Sequence, residues 1–141
     1  MREIRGEAWE LKDNYTYLAL TTNGTLKKHK AAVMGRGIAL QAKNKYRGLE
    51  NEVGIRVYSQ GNVVQKLNID KLIMFPVKHN WWECADLELI KRSCLQLLEV
   101  LDEDETCLLP RPGCGNGNLR WLQVKDAIKH ILDDRVTIVT Y

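Results

Sequence analysis

Two short segments are where this chain could do chemistry with its backbone. Gly35-Arg36-Gly37 and Gly113-Cys114-Gly115-Asn116-Gly117-Asn118 each run into a stretch with helical periodicity. The first turn of a helix has N–H groups without carbonyl partners, so such a junction attracts an anion. Glycine suits it because no side chain blocks a phosphate oxygen, and because some of these turns need positive φ. Taken singly, each cluster is as readily a tight turn. Two of them at the same end of one sheet would hold the two halves of a diphosphate. Neither fits the GxxxxGK[ST] or GxGxxG spacing, which disfavours a P-loop nucleotidase and an ordinary Rossmann enzyme.

The polar side chains nearest these junctions follow predicted strands: Asn23-Gly24 follows one, and Lys78-His79-Asn80 another. Asn116 and Asn118 can hydrogen-bond a ligand but cannot act as bases near neutral pH. Arg36, between two glycines, lies over phosphate or is simply solvated. Cys114 and His79 are imaginable as thiol and base, with a tight-turn filler as the alternative for Cys114. Neighbours in an extended loop point apart, so His79 is expected to be solvated or bonded to backbone. Of Trp81 and Trp82, one is expected to pack beneath the following helix and the other to stack on a base or cap a cleft.

The elements that must position these residues alternate between strand and helix. Tyr15 to Leu20 reads as a buried strand, and Lys71 to Phe75 as another, stopped by Pro76. Ile38, Ala39, Ala42, Tyr46 and Leu49 trace one helical face. Val53 to Tyr58 and Asn62 to Lys66 look like strands joined by the turn Ser59-Gln60-Gly61. Leu87 to Leu101 is a long amphipathic helix, Thr106 to Leu109 a short strand, Trp121 to Ile131 a last helix, and Arg135 to Thr140 a closing strand. This order predicts an α/β fold with a largely parallel or mixed sheet covered on both faces.

At 141 residues and 45% hydrophobic content, one domain over residues 1–141 with a single real core is expected. The start of the chain has no apolar leader and no stretch is long enough to span a membrane, so a soluble, cytoplasmic protein without a membrane partner is expected, as a monomer. Cys84, Cys94, Cys107 and Cys114 show no metal-binding spacing and read as small buried hydrophobes. The net charge of +3 is mild. Lys27, Lys28, His29 and Lys30 nevertheless cluster, as a solvated loop or as an electrostatic guide for a phosphate-bearing partner.

Four segments together resemble the macro domain family: Thr22-Asn23-Gly24, Val33 to Ala39, Phe75-Pro76-Val77-Lys78 and Leu109 to Gly117. The likeness runs in order along nearly the whole chain. It is nearer to the branch of the terminal ADP-ribose protein glycohydrolase and the DNA ADP-ribosyl glycohydrolase antitoxins, including compact phage forms. The resemblance implies a three-layer α/β/α macro domain with a mixed central sheet and an ADP-ribose cleft at its crest. It implies that Gly35, Gly37 and Ile38 line one phosphate loop, with Arg36 between them as a candidate substrate contact, and that Gly113, Cys114, Gly115, Asn116, Gly117 and Asn118 form the other. Asn23 would face the distal ribose. Glu7 would sit where the family has an aspartate that accepts a hydrogen bond from adenine.

Lys78 falls where glycohydrolases of this branch place their essential lysine. Desolvation would disfavour its ammonium form and make it a nucleophile toward the anomeric carbon, in a Schiff-base-type or electrostatic role. Gly117 stands where the protein-directed enzyme has an aspartate, which shifts the expectation toward the DNA-directed branch or toward binding without catalysis. The resemblance thus implies an ADP-ribosyl glycohydrolase acting on ADP-ribosylated DNA or protein, with no metal or organic cofactor. A reader or sponge for ADP-ribose or a related nucleotide, and an ADP-ribose 1''-phosphate phosphatase, remain as alternatives.

Overall fold

A computed structural model describes residues Met1–Tyr141. Six strands form one sheet: β1 (Arg2–Arg5), β2 (Tyr17–Asn23), β3 (Gln65–Lys66), β4 (Leu72–Lys78), β5 (Cys107–Pro110) and β6 (Val136–Thr140). Their order is β1-β6-β5-β2-β4-β3, parallel throughout except for β3 against β4. The helices are α1 (Ala8–Leu11), α2 (Gly37–Lys45), α3 (Leu49–Gln60), α4 (Leu87–Val100) and α5 (Trp121–Ile128).

Side-chain alternation along the strands builds a core on each face of the sheet. Ala19, Ile73, Phe75, Leu109 and Ile138 point to the face covered by α4 and α5, where they meet Ile90, Leu97, Val124 and Ile128. Leu18, Leu20, Leu72, Met74 and Leu108 point to the other face, against Ala39, Ala42, Leu49 and Val53 of α2 and α3. The result is the expected three-layer α/β/α arrangement with a mixed sheet. No helix is long and apolar enough to cross a membrane.

Four expected elements differ. The helical face from Ile38 to Leu49 is divided, since α2 ends at Lys45 and Leu49 opens α3 after Gly48 at φ 83. Val53 to Tyr58 is not a strand but the body of α3, and only Gln65 and Lys66 of the second expected strand pair. Val53, Ile55 and Val57 imitate a strand by alternating, yet burial follows the helical spacing Leu49, Val53, Val57 and leaves Ile55 61% exposed. β-branched propensity is overridden here by packing against the sheet. Pro76 does not stop β4, which runs on to Lys78. It is tolerated because β3 pairs only with Ile73 and Met74, so β4 is an edge strand from Phe75 onward.

Candidate functional site

Because β2, β4, β5 and β6 run parallel, their C-terminal ends open on the same side, where α/β sheets bind ligands. A cavity of about 890 Å³ lies there. Asn23, Gly35, Arg36, Gly37, Ile38, Lys78 and all of Gly113 to Asn118 line it. So do Thr22, Trp81, Trp82, Glu83, Arg111 and Tyr141. Glu83 is the one side-chain carboxylate in the lining, against the cations of Arg36, Lys78 and Arg111.

The two glycine loops face each other across this space. A β-carbon on Gly37 would lie 3.5 Å from the carboxamide nitrogen of Asn116, and Gly37 has φ +58, which favours glycine. The N–H groups of Gly35, Arg36, Gly37, Ile38 and Ala39 make no hydrogen bond, nor do those of Gly115, Asn116 and Gly117. The first run belongs to the start of α2 and the second to a single 3-10 turn, Gly115–Gly117. Two sets of free main-chain donors beside one cavity, with the positive end of α2 among them, are suited to a diphosphate.

Asn23 and Lys78 are brought opposite each other at the ends of β2 and β4. The Asn23 carboxamide is partly committed, donating to the Val33 carbonyl at 3.0 Å and accepting from the Thr25 N–H at 2.9 Å. It ties the end of β2 to the first glycine loop. Lys78 is half-buried and its Nζ donates to the Trp81 carbonyl at 3.3 Å. The Asn62 carboxamide donates to the Lys78 carbonyl at 2.9 Å and the Gly24 N–H to the His79 carbonyl at 3.1 Å, fixing the backbone on either side.

The loop after β4 is joined to the second glycine loop as well. The Ala85 N–H donates to the Gly117 carbonyl at 2.9 Å. A β-carbon on Gly117 would come within 2.8 Å of the Ala85 Cβ, so this position has no room for an aspartate unless the backbone shifts. Gly117 is therefore closed to a side chain by how the two loops pack.

Several residues sit differently from expectation. Glu7 is not itself in the cavity lining, although Gly6 and Ala8 on either side of it are: one carboxylate oxygen caps α1, accepting from the Glu10 N–H at 2.8 Å, and the other accepts from the hydroxyl of Tyr141, a lining residue, at 3.4 Å. His79 is neither merely solvated nor backbone-bonded, because its Nε2 lies 2.7 Å from the Asp86 carboxylate. That pairing commits His79 away from Cys114, whose thiol burial pushes up in pKa, so no thiol–imidazole pair forms. Cys94 and Cys107 are buried hydrophobes, whereas Cys84 is exposed. Neither Trp81 nor Trp82 packs under α4; both stand at the mouth of the cavity, 49% and 64% exposed.

Glu83 and Arg111 also line the cavity, with no sequence signal that marks either as a site residue. Glu83 follows Trp82 with no pattern to mark it, and its carboxylate is turned by the Asn80 carboxamide at 2.8 Å. Arg111 sits after β5, its guanidinium 4.8 Å over the Trp121 ring, with a buried Nε that has no partner.

No family model matches the chain. A curated relative, a DNA ADP-ribosyl glycohydrolase from Thermus aquaticus, is 30% identical over 115 residues, which are 72% of this chain and 31% of that protein. The chain thus spans less than a third of that relative. The macrodomain of Thermus aquaticus DarG has a TM-score of 0.70 at 25% identity, over 99% of this chain and 96% of that one. The structure of Thermosipho africanus DarTG in complex with ADP-ribose has a TM-score of 0.77 at 17% identity, over 99% of this chain and 41% of that one. The likeness to both structures extends over the whole sheet and its covering helices. On its sheet order, its paired glycine loops and these likenesses, the chain belongs to the macro domain family.

Proposed function

We propose that the cavity binds ADP-ribose and that the protein hydrolyses the bond joining ADP-ribose to a DNA base. The observation that carries this reading is the meeting of two loops of free main-chain N–H donors beside Lys78. The diphosphate lies between the loops, the distal ribose reaches Asn23 and Lys78, and Asn116 orients it. DNA is favoured over protein by the name of the Thermus aquaticus relative and by the absence of an aspartate at Gly117.

The chemistry follows from the residues at hand. The bond from the anomeric carbon of the distal ribose to its ring oxygen breaks, the oxygen taking a proton from water, which leaves that carbon doubly bonded to the base nitrogen as an electrophile for the Lys78 amine. The carbon–Nζ bond forms, the bond from that carbon to the base breaks, and the base leaves with one proton. Water then hydrolyses the imine, restoring the amine and releasing ADP-ribose. Glu83, the one carboxylate in the lining, is the candidate acceptor for the proton that the Lys78 ammonium must shed, although the two form no ion pair in this structure.

The test is incubation of an ADP-ribosylated oligonucleotide with wild type and with Lys78→Ala, followed by mass analysis. Release of free ADP-ribose by the wild type and a loss of at least about 10²-fold in the variant is expected for removal of a nucleophile. Full turnover by Lys78→Ala would remove the mechanism.

A second reading, binding without turnover, is favoured by the closed position at Gly117 and by the Asn23 carboxamide being held by Val33 and Thr25. Tight calorimetric binding of ADP-ribose with no release from modified DNA or protein decides for it. Fold likeness supports the binding more strongly than any one reaction.

A further inference from the structure

We infer that Arg111, laid on the Trp121 ring, forms a phosphate seat in the nucleoside half of the cleft, so that the preferred ligand is an ADP-ribose carrying a further phosphate monoester on its adenosine ribose. The inference rests on the reading of the cleft given above and narrows the nucleotide that it accepts.

The strand order sets the direction in which the ligand runs. Lys78 at the end of β4 and Gly6 after β1 both line the cleft, with β2, β5 and β6 between them. At about 4.8 Å for each strand spacing this is roughly 19 Å, room for a whole nucleotide sugar. With the distal ribose at Asn23 and Lys78 and the diphosphate between the glycine loops, the nucleoside is directed toward β6 and β1. Thr140, Tyr141 and Gly6 line that half.

Arg111 directly follows β5, whose neighbour on that side is β6. Its guanidinium lies 4.8 Å over the ring of Trp121, the first residue of α5. Glu3 of β1 also senses it. The Glu3 carboxyl is held below its ordinary pKa foremost by the hydrogen bond from Lys125, at 2.6 Å, and Arg111 adds a weaker attraction from beyond ion-pair distance. Trp121 and Glu3 together place Arg111 toward β1 and away from the end of β4.

This guanidinium has no anion of its own. Its Nε is buried without a hydrogen-bond partner, and it takes part in no ion pair. A partly desolvated cation left in that state is unfavourable, and an incoming anion offsets the cost. The indole beneath it orients the planar fork in advance, which suits two parallel N–H bonds to a phosphate.

The diphosphate does not call for this cation. The free N–H groups of Gly35 to Ala39 and of Gly115 to Gly117 already outnumber the non-bridging oxygens of a diphosphate diester. The nucleoside half of ADP-ribose is itself uncharged, so an anion there has to be an added group. On a ribose hydroxyl that group is a phosphate ester, such as the one a nicotinamide dinucleotide phosphate keeps after losing its nicotinamide.

Calorimetry compares ADP-ribose with ADP-ribose 2'-phosphate and ADP-ribose 3'-phosphate, on wild type and on variants whose melting temperature shows that they fold. Wild type is expected to bind one of the two phosphorylated compounds at least about tenfold more tightly than ADP-ribose, the gain from a charge-assisted bidentate contact. The preferred isomer names the hydroxyl that faces Arg111. Arg111→Gln is expected to bring both compounds within about threefold of ADP-ribose. Arg111→Lys, a point charge without the planar fork, is expected to keep only part of the preference. Equal affinity of wild type for all three compounds overturns the seat and spares the cleft. A preference that survives Arg111→Gln also overturns it, and a common fall in all three affinities would put Arg111 on the diphosphate instead. Binding of none of the three overturns the cleft reading together with the seat.

Discussion

Lys78 stands level with Asn23 because the β2–β4 ladder slips by one residue: Thr22 pairs with Pro76, and Asn23 with Lys78, leaving Val77 without a partner. A bulge of this kind re-aims the residues that follow it. Pro76 lies at its start, where an edge strand tolerates the lost N–H, and the Ser93 hydroxyl donates to the Pro76 carbonyl at 2.7 Å.

Ser93 is fully buried, so Ser93→Ala leaves that carbonyl without its donor and is expected to cost about 1–3 kcal/mol. Chemical denaturation measures the loss. Because the bond anchors the bulge, turnover by the folded variant is expected to fall as well, whereas an effect on stability alone would show that the bulge holds its shape without Ser93.

Putting back the carboxylate at Gly117→Asp is not expected to raise turnover. The added side chain meets Ala85 and is expected to destabilise the fold by about 1–3 kcal/mol, the usual range for overpacking. A variant of unchanged stability and increased rate would contradict the packing reason for the absent aspartate.

Glu83→Gln keeps the size and the hydrogen bond from Asn80 but removes the charge. If Glu83 is the proton acceptor, turnover falls by about 10²-fold or more, with calorimetric affinity for ADP-ribose nearly retained. Unaltered turnover would leave water as the acceptor.

The His79–Asp86 pair makes the loop that carries Lys78 and both tryptophans sensitive to acid. The His79 hydrogen bond, more than any other contact, holds the Asp86 carboxyl below its ordinary pKa. For a carboxylate depressed in the folded state, the stabilising contribution is present above the unfolded value of about 3.9 and is lost as pH falls through the lower folded value. His79→Ala is therefore expected to move the Asp86 titration upward toward that ordinary value, followed by carboxyl NMR. Tryptophan emission from Trp81 and Trp82 should shift at the same higher pH. No displacement of the titration would mean that the backbone bonds at Glu88 and Leu89 suffice.

Local pattern was enough to reveal most of the layers and the chemistry of the loops. Leu87 to Leu101 is amphipathic at the helical period, and Gly35 to Gly37 and Gly113 to Asn118 break the pattern where helices or turns begin, whereas the strand expected to stop at Pro76 runs on to Lys78. These are properties of neighbours in the chain, so the sequence alone carries them. Tertiary contacts decided the rest. Val53 to Tyr58 became helix because a buried stripe four residues apart outweighed β-branched propensity, and Glu7 came to cap α1 with one carboxylate oxygen while the other meets Tyr141 at the cavity. Glu83 and Arg111 entered the cavity, and Gly117 was closed to a side chain, through contacts between loops distant in sequence. Such distances are set by packing of the whole sheet and have no signature in a linear stretch of residues.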